Sequence, residues 1–167
     1  MDQSTDAHFF PTRMAMTIGA VTAILMLLVS VTGWQILGWI AFAGGIYYGM
    51  KCYRRETGGI VTYFKALMPG VQTAFFASLI IAFVRYVTAT MNPSIIEDMF
   101  MMMEQKLITF DIPSELAEMT IQQVREFMSP TVIAVCTVIG YSAIGGFLSI
   151  VFAFFVQNAK PGEFVEF

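Results

Sequence analysis

Charge is what this sequence has least of. Only 13% of its 167 residues are Asp, Glu, Lys or Arg, against roughly a quarter in an ordinary water-soluble domain. A chain of this length is one domain, and so few charges cannot dress a surface that faces water on all sides. Much of that surface must meet lipid. Histidine is represented by His8 alone, in the N-terminal tail and without a partner in sequence. The two cysteines, Cys52 and Cys136, fall beside and inside apolar runs, where a mutual disulfide is not expected and no metal-type spacing exists. Glycine-rich phosphate loops, nucleophile motifs, zinc spacings and carboxylate pairs are all missing. No enzymatic activity, cofactor, metal or nucleic-acid partner is therefore expected.

What the chain has instead is apolar length. Apolar residues make up 57% of it, and the mean hydropathy is +0.70. Residues 12–31 are apolar apart from Arg13, and about 20 residues at 1.5 Å rise cross a hydrocarbon core of about 30 Å. This run is too long, and its basic flank too thin, for a cleaved signal peptide. A short break with Gly33 and Trp34 leads to a second span over 35–50, closed by Lys51, Arg54 and Arg55. A cytoplasmic basic loop over 51–65 follows, with turn chemistry at Thr57-Gly58-Gly59. The third span, 66–91, holds Pro69 near its start and is stopped by Asn92-Pro93. The fourth, 130–156, begins with Ser129 as cap and Pro130 in the first turn.

Between the third and fourth spans lies the one water-exposed segment, 92–129. Its acids, Glu97, Asp98, Glu104, Asp111, Glu115, Glu118 and Glu126, face only Lys106 and Arg125. Two amphipathic helices fit it, one presenting Ile95, Ile96, Met99, Phe100, Met103 and Leu107, the other Leu116, Met119, Val124 and Phe127. The expected fold is thus all-α: an integral membrane four-helix bundle with two short amphipathic external helices. Lys51, Arg54, Arg55 and Lys65 crowd the loop between spans two and three, so that loop is cytoplasmic, both termini with it, and the acidic segment is outside.

Three features weigh on function. Ala66, Gly70, Ala74, Ser78 and Ala82 recur at every fourth position of the third span, and Ala41, Gly45, Gly49 and Gly145, Ser149, Ala153 make shorter versions on the second and fourth. Such faces let helices approach closely, either inside one bundle or against a second copy or partner. Arg85 is the one charge embedded in a span; it either snorkels outward toward the external acids or stands near a path. The methionines Met99, Met101, Met102 and Met103 overlap an amphipathic face and read as filler of apolar surface rather than a copper site.

The stretch Thr57-Gly58-Gly59-Ile60-Val61-Thr62-Tyr63-Phe64-Lys65-Ala66, then the long third span, then Met91-Asn92-Pro93-Ser94 and the acidic segment, resembles a family of small bacterial membrane proteins. Ile112-Pro113-Ser114-Glu115 and Ser129-Pro130 share in the likeness. The family is the one catalogued as domain of unknown function 4199, of Bacteroidetes type. The resemblance implies a multi-pass protein of the bacterial inner membrane. It also hints at a partner of the polyprenyl-phosphate glycosyltransferase kind, and it brings no catalytic or binding residue with it. Three functions remain open. The leading one is a non-enzymatic scaffold or anchoring subunit, held in the bilayer as a homo-oligomer or with a partner membrane protein. The others are a small transporter or channel with Arg85 near its pathway, and a lipid-acting enzyme at the outer face drawing on Glu97 and Asp98.

Overall fold

The protein, in a computed structural model that describes residues 12–31, 34–58, 61–110 and 113–157, is all-α, with no strand among those residues. Six helices follow in order: α1 Thr12–Val31, α2 Gln35–Glu56, α3 Tyr63–Met91, α4 Ser94–Thr109, α5 Ser114–Phe127 and α6 Pro130–Val156. Of the four expected spans, α3 and α6 are each long and apolar enough to cross a membrane, while α1 offers the shorter apolar stretch Arg13–Val29. His8 and the turn residues Gly33, Gly59, Asp111 and Ile112 lie outside the described residues.

Local chemistry accounts for the end of α2 and the start of α6. The second differs from expectation: Lys51 to Arg55, read above as the opening of a loop, are the last turns of α2. Basic side chains favour the negative end of a helix dipole. The helix stops one turn later, where the Thr57 N–H and hydroxyl both return to the Tyr53 carbonyl (3.0 and 2.6 Å) and Gly58 takes a φ of +77°. That left-handed conformation suits glycine and ends helices. Pro69 sits buried in the first turns of α3, and the helix runs on past it. At the start of α6 the Ser129 hydroxyl accepts the Val132 N–H at 3.3 Å, with Pro130 in the first turn. Ser129→Ala is expected to lower stability by about 1 kcal/mol, read as a drop in the midpoint of thermal unfolding.

The chain forms two compact units, residues 1–81 with 138–167, and residues 82–137. In the first, four helical segments share one core. α2 supplies its bulk with Phe42, Ile46 and Met50, all fully buried. α3 and α6 supply mostly small groups: Ala66, Ala74, Ala77 and Ser78 from one, Ser149 and Ala153 from the other. Many large apolar side chains of the same helices point outward, Ile81, Tyr141 and Val156 being buried exceptions. Phe64, Met68, Val71, Phe75 and Leu79 are exposed along α3, as are Ile139, Phe147, Ile150 and Phe154 along α6 and Val21, Ile24 and Leu28 on α1.

In the second unit α4 and α5 pack on each other. Phe100 is buried and carries the Arg125 guanidinium over its ring at 5.1 Å. Here the structure corrects the sequence reading of α5. Its buried positions are Ala117 and Ile121, whereas Leu116, Met119 and Phe127 are exposed. The small Ala117 is among the buried positions, and the bulkier residues are left exposed.

Candidate functional site

The small residues singled out from the sequence are brought together inside the first unit, in a repeating contact between helices α3 and α6. Gly70 faces Ser149, Ala74 faces Gly145, and Ser78 meets Ser142 hydroxyl to hydroxyl at 3.0 Å. These pairs step along the two helices about one turn at a time and in opposite directions, so α3 and α6 run antiparallel in this unit. A Cβ added at Gly70 would lie 2.5 Å from Ser149 Oγ and 3.0 Å from Met50 Sδ. One added at Gly145 would collide with the Ala74 methyl and stand 3.3 Å from Phe42 Cζ. Ala82, the last of the α3 row, is buried in the second unit.

The same chemistry joins α2 to its neighbours. Gly45 is packed directly on Thr22 of α1, and the Cβ position of Gly49 lies 2.7 Å from Thr73 Oγ1 of α3. At three helix contacts, then, a glycine of one helix receives a hydroxyl of another. The Thr22 hydroxyl donates to the Ile18 carbonyl (2.7 Å) and the Ser149 hydroxyl to the Gly145 carbonyl (2.7 Å), each within its own helix. Their oxygens keep lone pairs for the facing glycine, whose Cα–H is a weak donor. Thr73 Oγ1 and Gln72 Oε1 are buried and make no conventional hydrogen bond among the described residues.

Other side chains tie the helix ends. Tyr63 donates its hydroxyl to the Ile150 carbonyl (3.3 Å), and Arg54 donates to the Val156 carbonyl at the C-terminus of α6 (3.4 Å). Tyr141 stacks on Trp39 with ring centroids 5.4 Å apart and meets Phe42 edge-on at 5.6 Å. Tyr47 packs edge-on against Phe152.

Arg85 stands exposed on the part of α3 that belongs to the second unit, which also contains Glu97 and Asp98, both exposed on α4. The methionines split between the faces of α4, with Met101 and Met102 exposed and Met99 and Met103 half-buried. Cys52 is buried and Cys136 exposed, both as free thiols. Among the described residues no three His, Cys, Asp or Glu side chains gather as metal ligands.

One packing residue escaped the sequence reading. Gly19 of α1 faces α3, its Cβ position 3.0 Å from the Thr73 carbonyl oxygen and 2.9 Å from Phe76 Cβ. The signal was present: Ala15, Gly19 and Ala23 recur at every fourth position of α1, and all three are buried. They make the same small-residue pattern found on the other helices.

The profile of a family described as "Protein of unknown function (DUF4199)" matches residues 13–158, all but the two ends of the chain. The chain belongs to the DUF4199 family. The matched region takes in α2 to α6 whole and all of α1 but Thr12, and with them every glycine and hydroxyl of the helix contacts above. No curated protein and no solved structure matches this DUF4199 chain.

Proposed function

We propose that this DUF4199 protein is a multi-pass protein of the bacterial inner membrane, with α1, α2, α3 and α6 as its spans, and that it serves as a non-enzymatic scaffold or anchoring subunit. The observation that carries the membrane reading is the inversion of side-chain size between inside and outside. Alanine, glycine, serine and threonine fill much of the interior, while Phe64, Phe75, Phe147 and Phe154 face outward. Water penalises that surface, because a soluble monomer exposes few contiguous apolar patches of any size. In lipid it has no cost, since acyl chains are as apolar as phenylalanine, and helices then associate through close packing of small residues. α2 carries Gln35, several glycines and two tyrosines within its apolar stretch, and its last turns hold Lys51, Arg54 and Arg55. Long basic side chains at a helix end reach the headgroups. Those same residues set the loop between α2 and α3 in the cytoplasm, with both termini on that side and α4 and α5 outside. The exposed Leu116, Met119 and Phe127 of α5, beside Glu115, Glu118 and Glu126, suit a helix lying in the outer headgroup region.

The scaffold reading rests on what fills the interior. The small-residue faces are taken up in packing, and the buried polar residues are hydroxyls, Thr22, Thr73, Ser78, Thr137 and Ser149. Native mass spectrometry of the protein released from nanodiscs made in its own host tests it. A stable complex with a second membrane protein is expected, with a glycosyltransferase of polyprenyl phosphates as the candidate partner. A bare monomer would count against the scaffold.

The second reading, a small transporter or channel with Arg85 near its path, draws on the two buried polar atoms of Gln72 and Thr73. Arg85→Leu in proteoliposomes separates the two. A scaffold gives unchanged thermal stability and no ion or solute flux in either form, whereas a transporter loses its flux on substitution.

A further inference from the structure

The α1–α2 face of the first unit holds an apolar groove of about 370 Å³, lined by Thr17, Val21 and Leu25 of α1 and Ala41, Gly44 and Tyr48 of α2. Thr22 faces Gly45 and Met26 faces Gly38, so the two helices run antiparallel. Extended by about two and a half turns toward the start of α1, that register brings Arg13 level with the basic turns at the end of α2. On α2 itself, Lys51 and Arg55 follow Tyr48 at the third and seventh positions, the same helix face. Arg13, Lys51 and Arg55 are all exposed. An apolar channel thus runs along the two helices, with Lys51 and Arg55 beyond one of its ends and Arg13 at the same level on α1.

We propose that this groove is a binding site for an anionic glycerophospholipid of the cytoplasmic leaflet. An acyl chain lies along Thr17 to Leu25, and the phosphate sits among Arg13, Lys51 and Arg55. The proposal rests on the membrane reading above, which puts these cations at the inner headgroup level. Thr17 to Leu25 is about 12 Å of helix, a length suited to a large part of one acyl chain within a single leaflet about 15 Å deep. Basic pockets between spans on the cytoplasmic side recognise anionic headgroups. The charge explains the preference and the groove explains the retention; neutral lipid satisfies only the second.

Gly44 allows the groove to be tested apart from the charge. A Cβ at Gly44 meets no atom within 4 Å, so a large side chain there enters the groove without displacing a helix. The full-length protein is reconstituted in vesicles of equal parts phosphatidylglycerol and phosphatidylcholine, washed with alkaline carbonate, extracted in mild detergent and weighed by native mass spectrometry. The wild type is expected to retain one phosphatidylglycerol in preference to phosphatidylcholine, and inorganic phosphate in excess is expected not to displace it. Replacing Arg13, Lys51 and Arg55 by Gln weakens that retention roughly fivefold per base, on the order of a hundredfold together. Gly44→Phe abolishes retention of either lipid while the unfolding midpoint stays unchanged. Equal retention of the two lipids by the wild type overturns the proposal, and so does Gly44→Phe holding lipid like the wild type. A dimer mass with no lipid assigns the groove to a second copy and overturns it too. A protein stripped from the vesicles by carbonate overturns the membrane reading itself, which the other outcomes leave standing.

Discussion

Gly145→Leu prevents the first unit from assembling, and Gly145→Ala weakens it by about 1–3 kcal/mol, the usual cost of overpacking a filled core. The position is enclosed on three sides, by Ala74 of α3 and by Phe42 and Ile46 of α2. A flexible side chain could swing away from a new methyl, but the group in closest approach is the Ala74 methyl, which has no rotamer to change. Relief must then come from moving α3 and α6 apart, which loosens the Gly70–Ser149 and Ser78–Ser142 contacts one turn to either side. The exchange Gly145→Ala with Ala74→Gly keeps the number of methyl groups at the crossing and is expected to recover most of the loss. Such recovery measures a contact between these two residues and cannot arise from helix propensity, since alanine is the better helix former at both sites. Thermal unfolding followed by a thiol-reactive dye suits the measurement. Cys52 is buried and becomes reactive only on unfolding, and Cys136, which is exposed, is first replaced by Ser.

Phe147→Arg lowers the amount of protein inserted in membranes severely and does not improve its behaviour in water. Phe147 is 66% exposed on α6, on the outer side of a segment whose inner side is Gly145 and Ser149. In lipid, an arginine near the middle of a span costs about 2.5–3.5 kcal/mol on insertion scales, enough to reduce insertion by more than tenfold. In water the same change would remove an exposed phenylalanine and raise soluble yield. The sign of the effect therefore decides between the two environments, and membrane-fraction yield against a Phe147→Leu control reads it.

Much of this was legible in the sequence because helix ends are written locally. Ser129-Pro130 marks the first residue of α6, and Asn92-Pro93 the stop of α3. The four-residue recurrence of small side chains on α3 marks a packed face, since a helix returns to the same side about every fourth residue. The end of α2 was misread for an instructive reason. Lys51 signals where a helix leaves the apolar layer, but the helix itself ends only where the backbone turns, at Gly58. On α5 the largest apolar residues drew the eye, yet Ala117 and Ile121 are what pack, because closeness of approach counts for more there than size. The small residues of α1 were legible by the same recurrence, in Ala15, Gly19 and Ala23, and were passed over within a run that reads as uniformly apolar. The pairing of Gly45 with Thr22, of Gly49 with Thr73 and of Gly70 with Ser149 depends on tertiary register, which no single helix carries. The same holds for the groove between α1 and α2 and for the level that Arg13 shares with Lys51 and Arg55.

Membrane-impermeant maleimide labelling of single cysteines tests the four-span arrangement most directly. In a chain whose Cys52 and Cys136 are replaced by Ser, one variant carries Met102→Cys on the exposed face of α4 and another Thr57→Cys after α2. The account predicts that intact cells label Met102→Cys at once and Thr57→Cys only after the membrane is opened. Labelling of both in intact cells, of Thr57→Cys alone, or recovery of the protein in the soluble fraction would contradict it.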